Sequence, residues 1–160
     1  MSNINFALLS DYPEVLPQVA KWYFAEWNCR REGETVKKSA VRLQKYLESN
    51  DLPSILLALK EKKPIGVAQL KYFELRCAYP DFEHWLGGVY VIPSERGRGL
   101  ASKLVQEIER LAARCSVKTL YLQTEALDGG LYAKLGWLPV EQYQGENQPL
   151  VLIMKRIVAS

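Results

Sequence analysis

The chain has 160 residues, of which 48% are apolar and 24% charged, and its formal net charge is +3. This is the composition of a soluble globular protein, long enough for one domain with its own hydrophobic core. The charge is too small to point to nucleic acid, and no apolar run reaches the length of a membrane span. Cys29, Cys77 and Cys115 form no Cys-x-x-Cys pair and His84 is the sole histidine, which argues against a disulfide framework and excludes a His-rich metal site. Three reduced thiols suit a cytoplasmic protein. The stretch Met1–Tyr12 lacks the basic n-region and long apolar run of a signal peptide. The expectation is a single cytoplasmic domain, 1–160, with no metal, no membrane contact and no nucleic-acid partner.

In chain order, Ile4–Leu9 reads as a short strand. Asp11-Tyr12-Pro13 opens a helix whose apolar face is Leu16, Val19, Ala20, Tyr23 and Trp27, because proline is tolerated in a first helical turn. A charged loop from Asn28 to Thr35, broken by Gly33, leads to a second helix over Val36–Leu47. From Ser54 the period changes: Ile55–Leu59 and Gly66–Leu75 read as a hairpin around the turn Glu61–Pro64. Cys77–Glu83 reads as a loop and Trp85–Ile92 as a strand stopped by Pro93. After Gly99 comes an amphipathic helix with Leu100, Leu104, Ile108, Leu111 and Cys115 on its buried face. Thr119–Gln123 is a strand, Leu131–Leu135 a short helix closed by Gly136, and Leu150–Ile157 a final strand.

The informative segment runs from Val89 to Ala101: a strand, a Gly/Arg turn and a helix start. A helix N-terminus offers unpaired N–H groups and the positive end of a dipole, which suit a pyrophosphate. Gly97 and Gly99 let backbone approach phosphate oxygens, and Arg96 and Arg98 add charge beside them. The turn also reads as an ordinary surface turn with solvated arginines, or as an Arg-Gly nucleic-acid segment, although Arg-Gly pairs occur nowhere else in the chain. No Gly-Lys-Ser/Thr follows, so it is not a Walker loop, and half of the dinucleotide fingerprint is missing.

Arg96, Gly99 and Ala101 fit the pattern Q/R-x-x-G-x-G/A, and the segment resembles motif A of the GNAT superfamily of N-acetyltransferases. Leu131-Tyr132-Ala133-Lys134-Leu135-Gly136-Trp137 resembles the family's motif B. The order strand, two helices, three strands, helix, strand, helix, two strands is similar along nearly the whole chain, most of all to small bacterial members of unassigned substrate. The resemblance implies an α+β fold: a mixed, mostly antiparallel sheet of about seven strands flanked by about four helices, with splayed strands at a cofactor cleft. It also implies transfer of an acetyl group from acetyl-CoA to a primary amine by direct attack in a ternary complex. The acceptor would be a small molecule or a protein or peptide amine, and the protein a monomer or homodimer. Val89 and Val91 would pair with the pantetheine arm, and the N–H groups from Gly97 through Arg98, Gly99, Leu100 and Ala101 to Ser102 would hold the pyrophosphate beside Arg96. The Val89 N–H would meet the developing oxyanion. Tyr132 falls at the family's general-acid position, and a phenol can protonate a departing thiolate. It also reads as a helix aromatic packed on the strands.

The sequence departs from the family pattern in two places. Asp128-Gly129-Gly130 stands where many members have an asparagine, and Asp128 reads as a cap for the short helix. The position where several members carry a basic glutamate is Trp85. Glu83 is the nearest candidate base, with His84 and Glu125 as further options. Trp22, Trp27, Tyr72 and Trp85 read either as core or as walls of an acceptor site, and Arg30–Glu34 lies where family members shape specificity. A non-catalytic acyl-CoA-binding module is the second reading of the whole chain.

Overall fold

The computed structural model describes residues 3–48 and 52–158. The ends of the expected 1–160 domain, and the first residues of the Met1–Tyr12 stretch, lie outside the described residues. The strands are β1 (Ile4–Leu8), β2 (Ser54–Lys60), β3 (Lys63–Lys71), β4 (Trp85–Val91), β5 (Thr119–Thr124), β6 (Leu138–Tyr143) and β7 (Val151–Ile157). They form one seven-stranded sheet in the order β1-β2-β3-β4-β5-β7-β6. Every neighbouring pair is antiparallel except β4 with β5. The helices are α1 (Leu16–Glu26), α2 (Val36–Leu43), α3 (Leu100–Arg114) and α4 (Gly130–Lys134). This is the mostly antiparallel α+β architecture that the family resemblance implies. None of the described helices is long and apolar enough to cross a membrane.

The sheet is covered on both faces, so β2 reads as an unbroken apolar run rather than an alternation. Its side chains still alternate in direction. Leu56 and Ala58 pack with α3 residues Leu100, Leu104, Val105 and Ile108. Ile55, Leu57 and Leu59 pack with α1 and α2 residues Val19, Ala20, Tyr23 and Leu43. Burial of each such aliphatic side chain contributes roughly 1.5–3 kcal/mol. A third cluster holds Trp85, Val151 and Ile153 beneath Leu75, Tyr79 and Phe82. The segment from 72 to 84, expected to be loop from Cys77 onward, is therefore an aromatic strap. Phe82 stacks on Tyr121 with ring centroids 4.2 Å apart.

Several boundaries differ from the sequence expectation, each for a local reason. Pro13 begins a 3-10 turn (Pro13–Val15) and α1 starts at Leu16. Thr35 caps α2 by accepting the Lys38 N–H at 3.1 Å, and the expected second half of that helix is a 3-10 turn over Gln44–Leu47. Pro64 lies inside β3 rather than in the turn, beside a register shift at Ala58/Leu59, where a missing N–H is tolerated. β3 ends at Lys71, short of the expected Leu75, because its partner β4 begins at Trp85 directly opposite Lys71.

β4 pairs with β3 along its length but shares only one bridged pair with β5, Trp85↔Tyr121. Past that pair the two strands part. On the β3 side, Val67 faces Tyr90 and Gln69 faces Gly87, so Gly88 and Val89 both stand opposite Ala68. This bulge bends β4 away from β5. Gly88 has φ +56°, and its carbonyl accepts a hydrogen bond from the Tyr23 hydroxyl at 2.7 Å. A Cβ at Gly88 would stand 2.6 Å from that hydroxyl. Gly88→Ala is expected to destabilise the fold by about 2–3 kcal/mol, through left-handed strain and overpacking. Urea denaturation measures this, and an unchanged midpoint would show that the bulge tolerates a side chain.

Candidate active site

The turn between β4 and α3 presents bare backbone at two glycines. Pro93–Glu95 form a 3-10 turn, then Gly97 (φ +80°) and Gly99 (φ +79°) take left-handed conformations that other residues rarely adopt. Gly99 is the N-cap of α3 and supplies no side-chain acceptor to the helix's first N–H groups. A Cβ at Gly97 or Gly99 would meet nothing within 4 Å. A cavity of about 230 Å³ lies against the turn, lined by Val91, Glu95, Arg96, Gly97, Gly99, Leu100, Ala101, Ser102 and, from α4, Leu131. Seven of the nine residues expected to hold a cofactor thus line one cavity. Val89 and Arg98 do not line it.

The two arginines of the turn have different tasks. Arg96 folds back: its Nε donates to the Val91 carbonyl at 2.8 Å, and its guanidinium lies over the Tyr90 ring at 5.4 Å. It ties the turn to the end of β4. Arg98 is exposed and stands 3.5 Å from Glu95, whose other neighbour is Lys60 at 3.1 Å. The one carboxylate lining the cavity is thereby held between two cations. The Ile92 N–H bonds to Ile65 of β3 at 3.0 Å, so strand alternation turns the polar backbone of Val91 toward the parted β5 side.

Tyr132 sits in α4, next to the cavity-lining Leu131. Its ring packs edge-to-face on Trp137 at 6.2 Å and against the α3 core. Burial raises its pKa above the usual phenol value, so the hydroxyl keeps its proton throughout the neutral range. Packing and an available proton therefore coexist in one side chain. Asp128 accepts the Gly130 N–H at 2.9 Å, but from the residue before the N-cap of α4, which is Gly129 rather than Asp128.

The residues weighed as bases or acceptor walls disperse. Glu83 does not line the cavity. Its side chain is 53% exposed and 3.5 Å from His84. Glu125 is equally exposed and pairs with Arg30 at 3.3 Å. Trp85 is 0% exposed, with its indole N–H on the Phe82 carbonyl, and is core. Trp22 packs on Tyr90 at 5.4 Å and Trp27 on Tyr23 at 5.6 Å. Tyr72 is exposed beside His84.

A polar group that sequence reasoning missed gathers on the α1 side of the strand opening: Tyr23, Tyr46, Gln69, Lys71, Glu74 and Gln123. Tyr46 stands 3.3 Å from Gln69 Oε1, and burial raises the pKa of both Tyr23 and Tyr46 well above the usual phenol value. The one available signal was Gln69, a polar residue within the apolar run of β3.

Comparison with known proteins bears on this geometry. Solved structures share the fold at low identity. An aminoglycoside 6'-acetyltransferase type Ii aligns with TM-score 0.75 and 18% identity, over 98% of each chain. An aminoglycoside 6'-N-acetyltransferase complexed with coenzyme A aligns with TM-score 0.75 and 15% identity, again over 98% of each chain. The putative acetyltransferase yncA from Salmonella typhimurium, with its cofactor acetyl-CoA, aligns with TM-score 0.70 and 16% identity, over 100% of this chain and 95% of that one. No curated protein matches by sequence. The sequence itself matches the acetyltransferase (GNAT) family over residues 12–137, more than three quarters of its length. The chain belongs to the acetyltransferase (GNAT) family.

Proposed function

We propose that this protein transfers an acetyl group from acetyl-CoA to a primary amine, by direct attack while both substrates are bound. The observation that supports this most is the open backbone turn from Gly97 to Ser102, set at the N-terminus of α3 and beside the parted end of β4. A cradle that lacks Cβ atoms at Gly97 and Gly99, with the helix N–H groups behind it and Arg98 and Lys60 balancing Glu95, suits a pyrophosphate. The edge of β4 left unpaired by β5 suits an extended pantetheine arm, which carries amides of its own. Arg96 would hold the turn in register with that edge.

In this reading the chain contributes position, charge and one proton. Val89, in the bulge, would direct its N–H at the thioester oxygen, where negative charge grows during attack. Tyr132 would give its proton to the sulfur as the C–S bond breaks, and burial, which raises its pKa, keeps that proton in place at neutral pH. The metal-free polar chemistry of these side chains is sufficient for acyl transfer to an amine. Acetyl-CoA is the cosubstrate, and the acceptor is an amine of a small molecule or of a peptide.

Acetyl-CoA is expected to raise the melting temperature of the protein, with a stabilisation of about 2.7 kcal/mol at one hundred times its dissociation constant. Gly99→Glu should remove that shift. The free variant should remain folded at a cost of about 1–2 kcal/mol from the left-handed φ, because the new side chain meets open space. A Gly99→Glu protein that binds acetyl-CoA as well as wild type would move the cradle elsewhere.

CoA release with a panel of polyamines, aminoglycosides, amino acids and lysyl peptides separates an enzyme from a module that only binds acyl-CoA. With an amine that turns over, Tyr132→Phe should lower kcat by about 10²–10⁴-fold and leave the acetyl-CoA dissociation constant unchanged, since the ring packed on Trp137 is kept. Near-normal turnover with chemistry rate-limiting would return Tyr132 to a packing role.

A further inference from the structure

We propose that Glu74 is the proton acceptor for the incoming amine, held at the base of the β4–β5 opening by Lys71 and Gln123. The proposal rests on the acetyltransfer reading above. The last shared pair of β4 and β5 is Trp85↔Tyr121. Two residues further along, Gly87 and Gln123 stand on either side of the gap, and the Glu74 carboxylate bridges them. Its Oε1 accepts from Gln123 Nε2 at 3.1 Å. Its Oε2 pairs with the Lys71 ammonium and lies 3.4 Å from where a Cβ of Gly87 would be. Lys71 Cε lies 3.0 Å from the same point, so the ion pair can rest on the strand because position 87 has no side chain. The Glu74 side chain is only 18% exposed.

The placement fits a ternary complex. The bulge turns Gly87 and Gly88 toward the same face: Gly87 meets the Lys71–Glu74 pair and Gly88 meets Tyr23. Val89 and Val91 pack on the opposite face with the α3 core, and Val91 lines the cavity. An acyl donor seated from the α3 side and an amine arriving from the α1 side would meet in the gap between the strands. Glu74 stands against Gly87, two residues before Val89 on β4, and the bulge between them brings the two positions closer than two regular strand residues would be. An amine nitrogen between the carboxylate and a carbonyl held by the Val89 N–H would bridge that short span. The charged and titratable groups facing Glu74 are Lys71 from β3 and the phenols of Tyr23 and Tyr46 from the helical layer; Gln123 from β5 is neutral.

The protons balance. The acceptor ammonium gives one proton to the Glu74 carboxylate, and the freed lone pair bonds to the acetyl carbon. The C–S bond breaks and Tyr132 protonates the sulfur. The second proton leaving nitrogen as the amide forms restores Tyr132, and Glu74 releases its proton to water.

The test compares Glu74→Gln with wild type, using the amine that turns over best in the panel above. A base is needed only while the amine is protonated. The ratio of wild-type to variant kcat/KM should therefore be about 100 at neutral pH and fall toward 1 as pH rises past the pKa of the amine. Both proteins should show the same thermal shift with acetyl-CoA. If Glu74→Gln does not fold, Glu74→Asp retracts the same charge by one methylene and should show a ratio above 1 that falls in the same way. A ratio that is constant with pH would make Glu74 a structural residue, and a ratio near 1 at neutral pH would dismiss it. If wild type releases CoA with no amine of the panel, the acetyltransfer reading itself fails, an outcome separate from any behaviour of the variant.

Discussion

The structure depends on β4 staying paired with β3 while it leaves β5 after one bridged residue pair. A strand that loses a neighbour exposes polar backbone groups that need other partners. Here two β4 carbonyls are taken by side chains instead: Gly88 by Tyr23 at 2.7 Å and Val91 by Arg96 at 2.8 Å. One of these side chains comes from the helical layer below the sheet, the other from the turn above the cavity. The bulge at Gly88 supplies the bend, and Trp85, fully buried at the base of the fork, fixes where the bend begins.

The fork divides the molecule into two chemical environments. On the α3 side the gap meets glycine backbone, a helix N-terminus and a carboxylate balanced by two cations. On the α1 side it meets buried phenols, two glutamines and an ion pair. A polar group buried without a partner costs about 1–3 kcal/mol, so these side chains are arranged as mutually bonded pairs. Gln123 bonds to Glu74, Lys71 pairs with Glu74, and Tyr46 lies within hydrogen-bonding distance of Gln69. In a sheet buried by aliphatic side chains over most of its area, this cluster gathers where the strands separate.

Much of this was legible in the sequence because it is local. The 3.6-residue period of α3, the glycines of the turn and the proline that stops β4 are all written within a few residues of where they act. The sequence order allowed for two strands after the short helix, yet β6 gave no signal by which to place it: Leu138–Tyr143 contains Pro139 and is largely exposed, pairing only with β7 as an edge. The end of β3 was misplaced because it depends on a partner. Extended to Leu75, the strand would have kept Glu74 in the ladder. Ending it at Lys71, where β4 begins, frees Tyr72–Leu75 to turn. The polar cluster was hidden for the same reason, since it joins residues from two strands, two helical segments and a loop.

The strap between β3 and β4 connects this boundary to the chemistry. The position at which the family resemblance leads one to expect a glutamate is occupied by Trp85, which faces Val151 and Ile153 and lies beneath Leu75, Tyr79 and Phe82. A carboxylate there would be buried among aromatic rings without a partner, at a desolvation cost that such a site does not recover. Tryptophan instead fills the cluster and bonds to the Phe82 carbonyl, holding the strap down. The strap's first turn then brings Glu74 against Gly87, two residues along the strand from Trp85. An acidic group is thus present at the fork although the strand position is apolar. It comes from the segment that the tryptophan anchors, so the aromatic packing of Trp85, Phe82 and Tyr121 and the placement of Glu74 are one structural feature.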